Sequence, residues 1–190
     1  MNLLVLGPQG AGKGTQAKRI ESEYGIPHVS TGDMFRALDT STELGRKVKA
    51  IMDSGELVPD EVTVAMIQNR LSQPDAAGGF VLDGFPRNPV QASALDGMLG
   101  SIGRGLDAIL FFDVPDAVGI ERALKRAELE GRSDDTPDVI AKRLAVYHEQ
   151  TEPIVEHYRA TGKLVPLHAA RSVEEVWSEI SSALDQVPPA

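Results

Sequence analysis

The sequence of 190 residues contains no cysteine. Disulfides, thiolate-bound zinc and thiol nucleophiles are therefore excluded together. Aromatic residues are also scarce, at 5%, and no apolar run approaches the roughly 20 residues that a membrane-spanning helix needs. The first residues carry no basic segment ahead of a long apolar stretch, so we expect no secretory signal and a cytoplasmic location.

Positive charge is in the minority. The 28 Asp and Glu outnumber the 19 Lys and Arg, which gives a formal net charge of −9. This acidic balance argues against a nucleic-acid or membrane surface, so we expect neither partner. Any anionic ligand must meet a local cluster of cations. Most of the basic residues are arginine, whose planar guanidinium binds phosphate oxygens through two parallel hydrogen bonds.

What the sequence does contain is typical of one globular domain, with 42% hydrophobic and 25% charged residues. Short apolar runs alternate with helical patterns, which predicts β-α-β crossovers and a mostly parallel sheet of five strands. The predicted strands are residues 2–6, 27–29, 79–83, 107–113 and 163–167. The predicted helices are residues 13–24, 42–53, 60–72, 89–99, 116–127, 137–159 and 172–186.

Two segments interrupt the alternation. Residues 30–72 have room for three helices without a strand, which indicates an all-helical flap beside the sheet. Residues 128–135 form a short polar connector between two helices. By composition alone this connector is an ordinary solvated loop.

Residues 7–13 read Gly-Pro-Gln-Gly-Ala-Gly-Lys and fit the pattern G-x-x-x-x-G-K between a predicted strand and a predicted helix. Glycines let successive N–H groups face inward, the helix N-terminus adds partial positive charge, and the lysine reaches the β and γ phosphates. A glycine-rich turn alone would not explain a lysine at that offset. The sequence therefore predicts a nucleoside triphosphate site.

The residue after the lysine departs from the general pattern. It is Gly14 instead of Ser or Thr, and the hydroxyl follows at Thr15. Direct ligation of Mg²⁺ by a hydroxyl is therefore not expected. Because Mg²⁺ keeps several waters, we expect it on the nucleotide phosphates with Asp83 touching its water shell, and Thr15 on a phosphate oxygen. Asp83 has an alternative role as the cap of the turn that follows it.

Four motifs together resemble a known family. They are Gly-Pro-Gln-Gly-Ala-Gly-Lys-Gly-Thr-Gln at 7–16, Ser-Thr-Gly-Asp-Met-Phe-Arg at 30–36, Asp-Gly-Phe-Pro-Arg at 83–87 with Gln91, and Gly-Arg-Ser-Asp-Asp at 131–135 with Lys142 and Arg143. In type and spacing they resemble the nucleoside monophosphate kinases, most closely the adenylate kinases, from residue 1 to about residue 184.

The resemblance implies an α/β fold of the P-loop NTPase type, in three layers with a five-stranded parallel sheet. It implies a core at residues 1–29, 60–126 and 138–190, a helical NMP-binding insert at 30–59 and a lid at 127–137. This lid is too short for the hairpin of long-lid members, and without cysteine no zinc is expected. The implied reaction is Mg²⁺-dependent phosphoryl transfer from ATP to AMP, giving two ADP. We also expect a monomer, because inserts that swing must stay clear of neighbouring molecules.

The same resemblance implies the residues that act. The catalytic set is Lys13, Arg36, Arg87, Arg126, Arg132 and Arg143. ATP would bind Gly10, Ala11, Gly12, Lys13, Gly14, Thr15, Arg126 and Arg171. AMP would bind Thr31, Arg36, Glu56, Leu57, Val58, Gly84, Phe85, Pro86, Arg87, Gln91, Arg132 and Arg143. Bringing two polyanions together needs such charge, and the AMP phosphate needs no strong general base.

Alternatives remain open at this stage. Thr31 is either an adenine contact or a helix cap, and Arg171 either stacks on the ATP adenine or points into water. Asp134 and Asp135 are expected to pair with Arg132 or Arg126 in the open state and to yield to phosphates as the lid closes. A UMP/CMP kinase, a P-loop hydrolase and a catalytically silent nucleotide-binding module are the rival functions.

Overall fold

A computed structural model describes residues 1–132 and 134–187 of the chain. Its centre is a five-stranded parallel sheet with the order β2-β3-β1-β4-β5. The strands are β1 (Asn2–Leu6), β2 (His28–Ser30), β3 (Phe80–Asp83), β4 (Ala108–Asp113) and β5 (Leu164–His168). The helices are α1 (Lys13–Tyr24), α2 (Thr31–Arg36), α3 (Glu43–Asp53), α4 (Asp60–Leu71), α5 (Pro89–Ser101), α6 (Asp116–Glu130), α7 (Pro137–Val146), α8 (Glu152–Arg159) and α9 (Val173–Leu184).

The central strand β1 pairs with β3 on one side and β4 on the other. Its residues alternate between the two faces of the sheet, so successive side chains enter different layers. Leu3 and Val5 pack in one apolar cluster with α1 and α9, whereas Leu4 and Leu6 pack in another with α4, α5 and α8. The sheet is thus covered by helices on both faces, as the three-layer prediction requires.

The segment between β2 and β3 is helical, as predicted. Helices α2, α3 and α4 follow one another in it, and a 3₁₀ turn at Pro74–Ala76 precedes β3. Phe35, Val48 and Val58 form a small apolar cluster of their own, separate from the two clusters on the sheet. This separate core lets the insert hold its shape beside the carboxyl ends of the strands.

The largest differences from the predicted helices concern α6 and the predicted helix 137–159. Helix α6 continues to Glu130, because polarity in residues 128–130 does not stop a helix; Gly131, at φ 61°, ends it. The predicted helix 137–159 is divided by a π-helical turn at Tyr147–Thr151. Pro153 lies just beyond this turn and has no N–H to continue the regular helical ladder.

Within the described residues, no helix is both long and apolar enough to cross a membrane.

Candidate active site

The loop between β1 and α1 is shaped by glycines. Gly10 and Gly12 have φ values of 80° and 90°, in the left-handed region that other residues avoid. A Cβ on Gly10 would also stand 1.9 Å from the Gly119 carbonyl oxygen of α6. Gly12 caps α1 without a side chain, so the first N–H groups of that helix remain available for an anion.

Lys13 spans this loop. Its Nζ donates to the carbonyl oxygens of Gly7 and Pro8, each at 2.8 Å. Burial lowers the pKa of Lys13 to about 8, and the neighbouring Arg87 and Arg126 act in the same direction while Asp83 opposes them. The lysine therefore lies in a cationic, poorly solvated place where a phosphate would restore its charge balance.

Asp83 ends β3 beside this lysine. Its Oδ2 lies 3.5 Å from Nε2 of His28 on the neighbouring strand β2. Burial alone would raise the pKa of Asp83, but nearby His28 and the charge of Lys13 together lower it below its ordinary value. A Cβ on Gly14 would stand 3.7 Å from the same Oδ2, so this carboxylate faces the position where the general motif carries a hydroxyl.

A direct protein cage for a metal is absent from the described part of the chain, where no group of three or more His, Cys, Asp or Glu could hold an ion. One carboxylate beside the phosphate loop is nevertheless the donor set that suits Mg²⁺ carried mainly by phosphates and water. The residues present therefore fit a magnesium ion carried by a nucleotide beside Asp83.

On the opposite side of the cavity, α2 and the loop after β3 supply two arginines. Arg36 pairs with Asp33 at 2.8 Å, and Nε of Arg87 donates to the Gly84 carbonyl oxygen at 2.7 Å. Burial, with the charges of Arg143 and Arg36, lowers the pKa of Arg87 from its ordinary value, against the opposing charge of Asp83. Both guanidinium groups are thus held in place by neighbouring residues on this side of the cavity.

The residues expected near the acceptor base divide into two groups. Gln91, 1% exposed, lines the cavity. So do Glu56, Leu57, Val58, Gly84 and Pro86. Thr31 and Phe85 are buried behind them: the Thr31 hydroxyl donates to the Asp83 carbonyl oxygen at 3.3 Å, and Phe85 packs in the sheet core. The alternative role of Thr31 as a helix cap is wrong, because Ser30 caps α2 through Asp33.

Carboxylates of the lid bind several of the arginines at once. Asp135 accepts from Nη2 of Arg126 at 2.6 Å and from Nη1 of Arg143 at 2.8 Å. Asp134 accepts from Nη2 of Arg143 at 2.8 Å and lies 3.4 Å from Nη1 of Arg36. The expected pairing with Arg126 is therefore confirmed for Asp135.

The expected pairing with Arg132 is wrong. Its Nε donates instead to Glu130 at 2.6 Å, because the extension of α6 brings that carboxylate within reach. Burial would raise the pKa of Asp134, but the hydrogen bond and charge of Arg143 lower it below its ordinary value. Asp134 is thus an ionised partner of Arg143 at neutral pH.

Gln9 and Arg122 line the cavity but are not among the predicted site residues. Nε2 of Gln9, a variable position of the loop motif, donates to Asp135 at 2.7 Å, and no sequence signal marks it. Arg122 lies outside the predicted motifs, yet its guanidinium donates to the carbonyl oxygens of Ala169 and Ala170. Its spacing of four residues from Arg126 on α6 was the available signal.

Arg171 lines the cavity near its mouth. Its side chain is 48% exposed, and Nη1 donates to Glu179 at 2.7 Å. The guanidinium is thus neither free in solvent nor buried against a base site.

These elements enclose a cavity of about 560 Å³ at the carboxyl ends of the strands, where parallel α/β sheets bind ligands. Its walls carry Lys13, Arg36, Arg87, Arg126, Arg132 and Arg143. A phosphate loop facing several arginines from a helical insert and a lid defines a P-loop phosphotransferase that handles two anionic substrates.

Comparison with known proteins identifies the family. The family model described as "Adenylate kinase" matches residues 5–163. The chain is 46% identical to "Adenylate kinase" of Stenotrophomonas maltophilia (strain K279a), over 97% of this chain and 99% of the relative. It is 48% identical to "Adenylate kinase" of Caulobacter vibrioides (strain NA1000 / CB15N), over 98% of each. It is 49% identical to "Adenylate kinase" of Parvibaculum lavamentivorans, over 97% of this chain and 92% of the relative.

The chain belongs to the adenylate kinase family. It is accordingly a nucleotide-binding phosphotransferase, and the rival reading as a UMP/CMP kinase is not favoured.

Proposed function

We propose that the protein catalyses the reversible reaction ATP + AMP = 2 ADP with Mg²⁺, and so balances the adenine nucleotide pool. The observation that carries this proposal is the convergence of one lysine and five arginines, from three parts of the chain, on one cavity. A hydrolase needs only water as its acceptor, whereas a second anionic substrate accounts for arginines opposite the phosphate loop.

We propose the same division of the chain that its motifs predict. The core is residues 1–29, 60–126 and 138–190, the NMP-binding insert is 30–59, and the lid is 127–137. The separate apolar cluster around Phe35, Val48 and Val58 supports the insert as a unit. Helix α6 ends at Glu130 and α7 begins at Pro137, which supports a lid between the two helices.

ATP would lie along the phosphate loop. Its phosphates would accept hydrogen bonds from the N–H groups of Gly10, Ala11, Gly12 and Gly14, with Lys13 and Thr15 on the β and γ phosphates and Arg126 and Arg171 nearer the lid. The open N-terminus of α1 supports this orientation, because its unpaired N–H groups and partial positive charge favour a phosphate.

AMP would lie on the other side of the cavity. Arg36 and Arg87 would hold its phosphate, and Gln91 with the wall 56–58 would meet its base. Not every residue assigned to AMP would then touch the base. Some would only shape that wall, from among Thr31, Gly84, Phe85 and Pro86. The support is the position of Gln91 in the cavity lining and of Thr31 and Phe85 behind it.

Magnesium, when bound with ATP, would offset negative charge on the β and γ phosphates. Asp83 would orient its water shell, since it stands at the loop and stays ionised through its lowered pKa. We assign no zinc. No nucleic-acid partner, a cytoplasmic location and a monomeric state remain predictions from the sequence.

During transfer, the arginines would stabilise charge on the equatorial oxygens of the moving phosphoryl group. Arg132 and Arg143 would bridge donor and acceptor phosphates. For this, Arg143 must exchange its bonds to Asp134 and Asp135 for phosphate oxygens, which would hold the lid over the cavity and exclude water.

The test is steady-state phosphoryl transfer from Mg·ATP to AMP, dAMP, CMP, UMP and GMP, with an acceptor-free control for hydrolysis. We expect strong preference for the adenine acceptors and negligible hydrolysis. Preference for CMP or UMP would refute the base-recognition argument while leaving the arginine assignments, and hydrolysis alone would refute the acceptor site.

A further inference from the structure

The side-chain amide of Gln91 is fixed by two hydrogen bonds of opposite kind. Its Oε1 accepts from the backbone N–H of Arg87 at 2.8 Å, and its Nε2 donates to Oδ1 of Asp60 at 2.8 Å. A flipped amide would set N–H against N–H at Arg87 and oxygen against carboxylate at Asp60. Only one orientation of this buried amide is therefore compatible with its neighbours.

Asp60 is itself held in place. The same Oδ1 accepts from Nδ2 of Asn88 at 2.8 Å, and Oδ1 of Asn88 accepts from the backbone N–H of Gln91 at 2.9 Å. Asp60 is the first residue of α4, directly after the wall that ends at Val58. It lies behind Gln91, outside the residues that line the cavity.

The two bonds leave one hydrogen of Nε2 and one lone pair of Oε1 for a ligand. Adenine presents an acceptor at N1 and a donor at N6, which suits an amide offering N–H and oxygen in that order. Hypoxanthine presents a donor at N1 and an acceptor at O6 in the same positions. A Gln91 free to flip would accept both bases, whereas a fixed one rejects the second.

We propose that Asp60 is a positioning residue that sets acceptor specificity, by holding Gln91 in the orientation complementary to 6-amino purines and not to 6-oxo purines. This inference rests on the proposed function and on AMP as the acceptor. Asp60 acts through Gln91 and does not itself touch the substrate.

The probe is IMP, which has the same size as AMP and differs from it at N1 and at position 6 of the base. The quantity measured is the ratio of kcat/KM for AMP to kcat/KM for IMP. Asp60→Ala removes the acceptor at Gln91, and we expect the ratio to fall about tenfold, the effect of one buried hydrogen bond. Asp60→Asn keeps an oxygen that both amides can donate to, so we expect a ratio within about threefold of the wild type.

Two controls separate positioning from a structural or purely electrostatic effect. Glu61→Ala removes an exposed negative charge from the same first turn of α4 and should leave the ratio unchanged. In a Gln91→Ala background, adding Asp60→Ala should change the ratio no further, because the residue through which Asp60 acts is gone. Thermal melting of each variant confirms that it is folded.

Equal loss of selectivity in Asp60→Ala and Asp60→Asn would overturn the proposal, since charge and not the acceptor oxygen would then matter. A normal ratio in Asp60→Ala would overturn it too. If Asp60→Ala does not fold, the Asn variant and the wild-type side-chain NMR decide: an exchange-broadened or rapidly exchanging Gln91 amide in the unliganded protein contradicts a fixed orientation. Wild-type preference for UMP over AMP would refute the proposed acceptor, a result seen without any variant.

Discussion

Arg87 illustrates how one arginine of this cavity is suited to binding an anion. Arg87 is partly buried, the Gly84 carbonyl oxygen accepts a hydrogen bond from its Nε, and its pKa is lowered by burial and by other cations. Burial and neighbouring cations both disfavour the charged form of this side chain. A bound anion would stabilise that charged form, so the position is suited to an anionic substrate.

We expect Arg87→Ala to raise KM for AMP at least tenfold, with KM for ATP changed less than threefold, because one charge-assisted hydrogen-bonding group is lost on the acceptor side. Initial-rate kinetics with each substrate varied in turn measure the split. Arg159→Ala is the matched control, since Arg159 is exposed on α8 and pairs only locally with Glu156. Normal AMP kinetics in Arg87→Ala would refute the acceptor-site assignment.

Lys13 is a second residue whose charged form is disfavoured by burial. Its pKa of about 8 lies below the ordinary lysine value of 10.5, so the unfolded chain binds this proton more tightly than the native protein. The charged lysine therefore destabilises the unliganded fold below pH 8, and its contribution to stability improves as pH rises from about 8 to 10.5.

We expect Lys13→Met to lower kcat by about a thousandfold, since it removes the cation from the β and γ phosphates, while leaving the free energy of unfolding nearly unchanged at pH 7. The relieved desolvation offsets the lost bonds to Gly7 and Pro8. Denaturant titration at pH 7 and pH 10 measures the free energy of unfolding. We expect it to increase between these pH values in the wild type and to increase less in the variant. A large loss of stability at pH 7 would show that the lysine is structural.

At the scale of elements, the lid is held by carboxylates that belong to it. Asp134 and Asp135 are 5% and 2% exposed and together bind Arg126, Arg143 and Arg36. These pairs connect the lid to α6, α7 and the insert without nucleotide. Because the folded pKa of Asp134 lies below 3.8, its ionised pairs persist at neutral pH and are lost only as pH falls through that lower value.

We expect Asp134→Asn with Asp135→Asn to shift the unliganded lid toward open forms, measured as lower energy transfer between dyes on lid and core. Neutral amides leave the arginines mutually repelled and weakly held. Asp138→Asn, an exposed neighbour at the start of α7, is the control. Unchanged energy transfer together with unchanged turnover would remove the carboxylates from the lid mechanism.

At the scale of the whole molecule, nucleotides should stabilise the fold, because they bind the native cavity and not the unfolded chain. At a ligand concentration about 100 times Kd the gain is about 2.7 kcal/mol, which raises Tm by roughly 5 to 10 °C for a chain of this size. We expect ATP and AMP each to raise Tm when added alone, as measured by calorimetry. Arg87→Ala should keep the shift caused by ATP and lose most of that caused by AMP; an equal AMP shift in the variant contradicts the assignment.

The sheet and most helices were predictable because each depends on local patterns. Runs such as 2–6 and 79–83 are apolar throughout, which only a doubly covered strand explains, and β1 matches its predicted bounds. The lysine at 13 and the motif arginines were predictable from offsets within motifs. All of them line the cavity.

What could not be predicted depends on contacts between distant residues. The bond from Gln9 to Asp135 joins positions 126 residues apart, and the partner of Arg132 changed because α6 runs three residues further than its polarity indicated. Likewise, Thr31 and Phe85 belong to matching motifs, yet only packing decides that they stand behind the wall and not in it. Sequence motifs select residues; the tertiary fold decides which atoms reach the ligand.

The wide turn at Tyr147–Thr151 sets the rotational phase between α7 and α8. Each residue of a regular helix turns the chain by about 100°. One surplus residue between the two halves therefore lets Ile154 and Tyr158 face the sheet core while Arg143 faces the cavity. Removing a residue there, with the core half held still, would swing Arg143 more than a quarter of a turn around the helix axis and away from the phosphates. The irregular turn thus reconciles two helical faces that one uniform helix would misalign.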